Sequence, residues 1–322
     1  MALVTMKTLL ERAENHHRGI GAFSVGNMEM VKGAVQAAEE LKTPIILQIA
    51  EVRLKHSPLA LMGPLMVQAA KEAGFDYVEM SVDETDERMA RLDWDDEAIL
   101  ELREIQKEVG LPIETICFSA QRKYPLGSGK WEKEAKELLR KAVRFAAKMG
   151  IRIIQTQGYD CYYEETSDET TKERFYRNLQ EGTMYAASYG VMLAMETMEN
   201  DFMNTVKKAM SAVEYVNSPY LQVYPDIGNI SNAVSDVIKD IQSGTGHIAA
   251  AHLKETVPGK FREIPYGTGQ VKFPEAIAQL YRQGVRRYVA EFWYCGENNW
   301  REIVAGNRKF LDEKFECAAD LL

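Results

Sequence analysis

The chain has 322 residues, of which 46% are hydrophobic and 27% are charged, and its formal net charge is −9. This length suits one large α/β domain with a self-sufficient core. The negative charge argues against a nucleic-acid partner, which would require a basic stripe, and no apolar run is long enough for a membrane span. The four cysteines are scattered without a CxxC pair, which favours a reducing cytoplasm.

The first predicted element is an amphipathic helix with acidic residues over 1–19, which does not resemble a signal peptide. After it, short β-branched or apolar runs alternate with stretches of helical period. Nine strands are predicted in this way, at 19–25, 44–49, 77–82, 112–119, 153–158, 191–197, 221–227, 248–254 and 288–294.

The helical period is clearest over 131–150. One stripe of this segment is apolar, and Gly150 is the expected stop; the stripe comprises Ala135, Leu138, Leu139, Ala142, Ala146 and Met149. The strands are almost continuously hydrophobic, which is typical of parallel strands buried on both faces. Repeated βαβ units without a GxGxxG after the first strand predict a TIM-like parallel (βα)8 barrel.

Nine strands are one more than such a barrel needs, so one N-terminal βα unit is surplus. Either strand 44–49 closes the ring and strand 19–25 is peripheral, or the barrel accommodates both. We favour closure by 44–49, because it directly precedes the strand at 77–82.

The active site of such a barrel forms at the carboxyl ends of the strands. One metal-capable side chain stands near that end of each of the last four strands; these residues are Glu196, Asp226, His252 and Glu291. Taken alone, Asp226 could cap a turn and His252 could be a core histidine. Four such residues at consecutive strand ends favour one site for a divalent ion, Mn²⁺, Mg²⁺, Zn²⁺ or Co²⁺.

From about Gly74 onwards the chain resembles the L-xylulose/L-ribulose 5-phosphate 3-epimerases of the xylose-isomerase-like barrels. The stretches that carry the resemblance include GFDYVEMSVDETDERMARLDW, FSAQRKYPLGS, GIRIIQTQGYDCYYEE, LAMETM, YPDIGNIS and GHIAAAHLKET. The resemblance implies that the same four residues bind the metal, and it implies a homodimer. One departure is Gln121, where the family has a histidine.

Residues 1–73 are similar instead to the opening of class II ketose-bisphosphate aldolases, and the join falls near Lys71–Gly74. The histidines with which those aldolases hold zinc do not follow. The sequence therefore indicates a fusion of two parts in one merged barrel: an aldolase-like segment, 1–73, and an epimerase-like portion, 74–322.

The implied reaction converts L-xylulose 5-phosphate to L-ribulose 5-phosphate by removing and returning the C3 proton through an enediolate. Glu196 and Glu291 are the expected bases on the two faces. Expected substrate-binding residues are Arg122, Gln157, Asn229 and Lys254, with Lys123, Tyr159 and the backbone of Gly267 and Gly269 as further candidates. Alternatives are a related metal-dependent sugar isomerase or ketose-bisphosphate aldolase, and a non-catalytic fused or engineered barrel.

Overall fold

The computed structural model describes residues 15, 20–24, 37–38, 40–42, 45–48, 70–295 and 299–322. Contacts within the chain divide it into two units, Met1–Leu65 and Met66–Leu322. The predicted N-terminal helix lies outside the described residues except for Asn15, which is helical.

In the first unit, two short strands pair in parallel, β1 (Gly21–Ser24) and β2 (Ile45–Gln48). A parallel pair needs a crossover connection, and the helical residues at 37–38 and 40 belong to it. Lys42, in the turn that follows, has a φ of 49°. Both predicted strands of this region are confirmed.

The second unit contains seven further strands among its described residues, and all seven confirm the predicted positions. Their bounds are β3 (Val78–Ser81), β4 (Ile113–Phe118), β5 (Ile153–Thr156), β6 (Met192–Glu196), β7 (Leu221–Tyr224), β8 (Ala251–Leu253) and β9 (Tyr288–Ala290). Strands β3 to β7 form one parallel sheet in chain order, and β8 pairs with β9 in parallel. Parallel bridges from Val223 to Ile248 and from Asp226 to His252 connect β7 with the segment that contains β8.

Helices follow the strands. They are α1 (Asp86–Met89), α2 (Asp96–Val109), α3 (Glu132–Met149), α4 (Glu169–Ser188), α5 (Val206–Val216), α6 (Ile227–Ala233), α7 (Val237–Gln242), α8 (Phe273–Arg282) and α9 (Trp300–Ala319). A short 3-10 turn precedes α2 at Ala90–Asp93, and another follows β4 at Ser119–Arg122. Among the described helices, none combines the length and apolar character needed to span a bilayer.

Helix α3 shows how the sequence pattern becomes packing. Its predicted stripe is buried except for Leu138, which is half-buried, and Val143 and Phe145 extend the buried face. The helix ends at Gly150, whose φ of 79° is the left-handed conformation that glycine adopts without strain. The buried face of α3 covers the sheet, and β5 behind it is buried along its whole length.

The sheet of the second unit curves, so that side chains from distant strands meet. Glu79 on β3 accepts a hydrogen bond from the Tyr224 hydroxyl on β7 at 3.0 Å and lies 2.7 Å from His252 on β8. The Tyr77 hydroxyl, just before β3, donates to the Tyr288 carbonyl of β9 at 2.7 Å. The first and last strands of this unit therefore face each other across a shared interior, as in a barrel.

Candidate metal centre

Four metal-capable side chains converge at the carboxyl ends of β6 to β9. Each offers one ligand atom, and the four atoms lie within 4.8 Å of one another; the residues are Glu196, Asp226, His252 and Glu291. Glu196 is the last residue of β6 and Glu291 directly follows β9. The structure thus brings together the whole set that the strand-end pattern selected.

His252 lies in the middle of this cluster. Its Nδ1 is 2.8 Å from Oε1 of Glu196 and 2.9 Å from Oε2 of Glu291. The exposed fraction of the side chain is 2% for His252, 4% for Glu196 and 26% for Glu291. Glu291 is therefore the ligand candidate most open to a molecule arriving from outside.

Asp226 combines a capping role with a place in the cluster. It is the N-cap of α6, and its Oδ1 accepts hydrogen bonds from the backbone N–H of Gly228 at 2.8 Å and of Asn229 at 3.0 Å. These bonds fix the rotamer of the aspartate. The second oxygen, Oδ2, is thereby directed away from the helix and towards Lys254.

Lys254 is buried beside the cluster and is not a solvated loop lysine. Its Nζ contacts Oδ2 of Asp226 and lies 3.7 Å from Oε2 of Glu291. It also stands 5.9 Å from the centre of the Trp293 ring. A buried ammonium needs anionic partners, and Lys254 obtains them from two of the proposed metal ligands.

Burial and mutual repulsion set the protonation of the cluster. Burial raises the pKa of Glu196, and it raises the pKa of Asp226 to about 7 in spite of Lys254. Burial also acts on Glu291, but Lys254 and His252 hold its pKa well below the usual range. Burial would lower the pKa of His252, yet the Tyr224 hydroxyl and the carboxylates around the ring, led by Glu79, raise that pKa well above its usual value.

The donor set fits a divalent cation. Oδ2 of Asp226 and Oε2 of Glu291 are buried and accept no hydrogen bond of good geometry from the described residues. Both oxygens face the Lys254 ammonium, and this shows that the cluster attracts positive charge. Three carboxylates and one imidazole suit Mn²⁺, Mg²⁺, Zn²⁺ or Co²⁺, and those four residues would hold the ion.

Three of the four expected substrate-binding residues keep an unused polar atom. Nε of Arg122, Oε1 of Gln157 and Oδ1 of Asn229 are buried and have no hydrogen-bond partner among the described residues. Gln157 also donates through Nε2 to Oε2 of Glu196 at 2.8 Å, and Asn229 donates through Nδ2 to the Thr197 carbonyl at 2.8 Å. Their remaining acceptor atoms are suited to sugar hydroxyls.

Arg122 lies in a cluster of two guanidinium groups and one carboxylate. Its side chain lies near the Tyr159 hydroxyl, which donates to Oε2 of Glu199 at 2.6 Å. The other oxygen of Glu199 accepts from Arg262 at 2.9 Å. Lys123, by contrast, pairs with Asp86 at the surface at 2.9 Å.

The expectation that the backbone N–H of Gly267 faces a substrate anion is wrong, and the same expectation for Gly269 stays a prediction. The loop wraps around the buried carboxylate of Glu255, which accepts from the N–H of Gly267, Val271 and Thr256, each at 3.1 Å. A Cβ on Gly269 would fall 2.2 Å from Oε1 of Glu255. A side chain of the protein itself therefore occupies this nest of amides.

Two residues that support the site were missed from the sequence. Glu79 contacts His252 from β3, and Gln155 on β5 donates through Nε2 to Oε2 of Glu196. Each is a polar residue beside apolar residues in a predicted strand, and such a residue in a buried strand indicates that it has a polar partner. Gln121, the departure from the family pattern, is buried and accepts hydrogen bonds from Thr156 Oγ1 at 2.6 Å and from the N–H of Gln157 at 2.9 Å.

Comparison with known proteins gives two family matches. The model for the xylose isomerase-like TIM barrel matches residues 67–314, and the model for class II fructose-bisphosphate aldolase matches residues 4–87. The barrel fold predicted from the sequence is thereby confirmed, and so is the twofold resemblance.

Curated relatives match through most of their length. The L-ribulose-5-phosphate 3-epimerase UlaE of Salmonella heidelberg (strain SL476) is 45% identical over 252 residues, which are 77% of this chain and 88% of the relative. The enzyme of the same name from Escherichia coli O139:H28 (strain E24377A / ETEC) is 45% identical over 230 residues, which are 70% and 81% of the two chains.

Solved structures share the fold at low identity. D-allulose 3-epimerase from Methylomonas sp. superposes with a TM-score of 0.66 at 17% identity, over 80% of this chain and 93% of that chain. A xylose isomerase-like TIM barrel protein from Mycobacterium smegmatis, solved in complex with magnesium, gives a TM-score of 0.64 at 16% identity, over 82% and 91%. With the metal-capable cluster at its strand ends and these matches, the chain belongs to the L-ribulose-5-phosphate 3-epimerase family of xylose isomerase-like TIM barrels.

Proposed function

We propose that the protein is a divalent-metal-dependent isomerase that epimerises a pentulose 5-phosphate at C3, interconverting L-xylulose 5-phosphate and L-ribulose 5-phosphate. The observation that carries the proposal is the pair of carboxylates that both lie close to one imidazole nitrogen. Glu196 and Glu291 both lie within 2.9 Å of Nδ1 of His252, and they come from β6 and β9, two strands that are not neighbours.

Epimerisation needs a base on each face of the C3 carbon and stabilisation of the charge that proton removal creates. When bound by Glu196, Asp226, His252 and Glu291, a divalent ion (Mn²⁺, Mg²⁺, Zn²⁺ or Co²⁺) supplies Lewis-acid stabilisation of adjacent sugar oxygens. In one direction Glu196 removes the C3 proton, and Glu291, carrying a proton taken up from solvent, delivers that proton to the opposite face; exchange with solvent then restores both carboxyl groups. In the other direction the two roles are exchanged.

The surroundings of the two glutamates support this division. Burial raises the pKa of Glu196 and so makes it a stronger base, while Gln155 and Gln157 hold its Oε2 from the β5 side. Glu291 is the more exposed of the two. Lys254, in contact with Asp226 and near Glu291, would lie beside a substrate held at this centre and would donate to a sugar oxygen.

The substrate's phosphate is assigned to Arg122. Its buried Nε lacks a partner among the described residues, and a phosphate accepts bidentate bonds from guanidinium. Gln121, its neighbour in sequence, contacts Gln157, which contacts Glu196. Arg122 therefore directly follows, in sequence, a residue whose side chain is connected with the metal centre through Gln157. Gln157 and Asn229 would bind sugar hydroxyls with their unused oxygens.

The test is exchange of the C3 hydrogen of L-ribulose 5-phosphate with deuterium from solvent, followed by NMR with Mn²⁺ and after chelation. We expect metal-dependent exchange with formation of the C3 epimer, and loss of both in Glu196→Gln and Glu291→Gln. Glu181→Gln, at an exposed ion pair on α4, is the matched control. Formation of an aldose or of triose products would replace the proposal by the isomerase or aldolase alternative. Metal binding without exchange would indicate a non-catalytic barrel.

We also propose a homodimer that acts in the cytoplasm on small phosphorylated sugars, without nucleic-acid or membrane partners. Sedimentation velocity of the full chain measures whether the protein is a homodimer.

A further inference from the structure

Glu79 is a buried acid that the proposed reaction does not use. It stands in β3, outside the four strands that supply the candidate metal ligands, and its side chain is 7% exposed. A buried carboxyl group in such a place needs hydrogen-bond partners. The groups that donate hydrogen bonds to Glu79 indicate its role.

The first donor is the imidazole of His252. Oε1 of Glu79 lies 2.7 Å from Nε2, while Nδ1 of the same ring faces Glu196 and Glu291. A histidine that binds a metal is neutral and presents a lone pair on one nitrogen, so the other nitrogen must carry the proton. A carboxylate accepts only, and it therefore fixes that proton on Nε2.

Glu79 is itself held in place by two hydroxyl groups. Its Oε2 accepts from Oγ1 of Thr115 on β4 at 2.6 Å and from the Tyr224 hydroxyl on β7 at 3.0 Å. The Tyr224 ring also packs edge-on against the His252 ring, with centroids 4.8 Å apart. The carboxylate thus has little rotational freedom, and the plane of the imidazole is constrained from two directions.

We propose that Glu79 is a positioning residue that holds His252 as the Nε2–H tautomer and aims the lone pair of Nδ1 at the metal. It acts through His252 and does not touch the substrate. This inference rests on the metal centre of the proposed function. It makes β3, together with β6 to β9, a strand on which the site depends, and it assigns Thr115 and Tyr224 to the same support.

The test compares the Mn²⁺ affinity of full-length variants, measured by electron paramagnetic resonance of free Mn²⁺ during titration of chelated protein. Loss of a carboxylate that orients a ligand histidine lowers metal affinity by about 10- to 100-fold, and we expect that loss in Glu79→Leu. Glu79→Gln keeps an acceptor for Nε2–H and should lose less. Glu114→Gln is the matched control, because it removes a carboxylate from neighbouring β4 that pairs with Arg287 at the surface, and it should bind as wild type does.

A second readout reports the tautomer itself. In protein labelled with ¹⁵N-histidine and loaded with Zn²⁺, the His252 signals should show a protonated Nε2 and a metal-bound Nδ1, identified by comparison with His252→Asn. Glu79→Leu should shift or broaden both signals. A merely structural role would lower the thermal stability of the variant while leaving these signals unchanged.

The outcomes separate the two proposals. If Glu79→Leu and Glu79→Gln bind Mn²⁺ as tightly as wild-type protein does, the role of Glu79 is overturned and the metal centre is not. If Glu79→Leu does not fold, Thr115→Val and Tyr224→Phe decide, and unchanged affinity in both overturns it. If wild-type protein does not bind Mn²⁺, both the metal centre and this inference are overturned. Mn²⁺ binding without C3 exchange overturns only the activity.

Discussion

The two units of the chain use parallel strands for different purposes. In the first, β1 and β2 pair through their backbones over four residues each. In the second, every strand from β6 to β9 ends beside a metal-capable side chain, and β3 adds Glu79 behind His252. Among the described residues, all members of the metal-capable group come from the second unit.

This difference shows how an enzyme of this class divides scaffold from chemistry. The aldolase-like match reaches residue 87 and the epimerase-like match begins at residue 67, so β3 lies in both. Glu79 is on that strand. A segment from another family can therefore precede the site in sequence, provided that β3 keeps the side chain on which His252 depends.

The largest expected effect is at Asp226. Asp226→Asn keeps an oxygen for capping α6 but replaces the Oδ2 that faces the cluster. Because loss of an outer partner alone costs about 10- to 100-fold in metal affinity, loss of a ligand should cost more than about 100-fold. Isothermal titration with Mn²⁺ measures it. Affinity within threefold of wild type would mean that the second unit's cluster is not the metal centre.

The next effect concerns the phosphate. Arg122→Met should raise KM for L-ribulose 5-phosphate by about 10- to 100-fold, because a hydrogen bond to a charged group is worth roughly 1.5–3 kcal/mol. Mn²⁺ affinity should stay unchanged. Lys123→Met is the control, since the adjacent lysine pairs with Asp86 at the surface. Equal KM changes in the two variants would contradict a specific role for Arg122.

The strands and the four strand-end residues could be predicted from the sequence, because both depend on local patterns of apolar and polar residues. Glu196 closes an apolar run and His252 lies inside one, so each was visible where it stood. Their convergence within 4.8 Å follows from parallel strands ending on one side of the barrel.

Glu79 and the loop around Glu255 depended on information that is not local. Glu79 meets His252 only because β3 and β8 face each other across the curved sheet, a contact between residues 173 apart in the chain. Gly267 and Gly269 suggested a nest for an external anion, but the N–H of Gly267 donates to Glu255. Glycine spacing predicts a cavity of amides and does not identify its occupant.

A smaller effect is expected from a substitution of Glu255, the residue around which the glycine loop wraps. Glu255→Gln leaves at least one of three backbone N–H donors without its acceptor, so we expect a loss of about 1–3 kcal/mol in the free energy of unfolding. Urea unfolding of the chelated protein measures it. Mn²⁺ affinity should change little, because Glu255 is outside the metal-capable group. A large loss of affinity without a loss of stability would instead extend the metal site into this loop.

The smallest effect tests the first unit. Lys42 has a φ of 49°, where a side chain is strained by about 1–2 kcal/mol and glycine is not, although glycine costs roughly 0.5–1 kcal/mol more in ordering the backbone. Lys42→Gly should therefore stabilise the protein by at most about 1.5 kcal/mol. Asn217→Gly, at the end of α5 with a φ of 48°, makes the same change in the second unit. Both variants should bind Mn²⁺ as wild type does. If Lys42→Gly alone altered Mn²⁺ affinity, the first unit would contribute to the chemistry, and the division between scaffold and site would have to be redrawn.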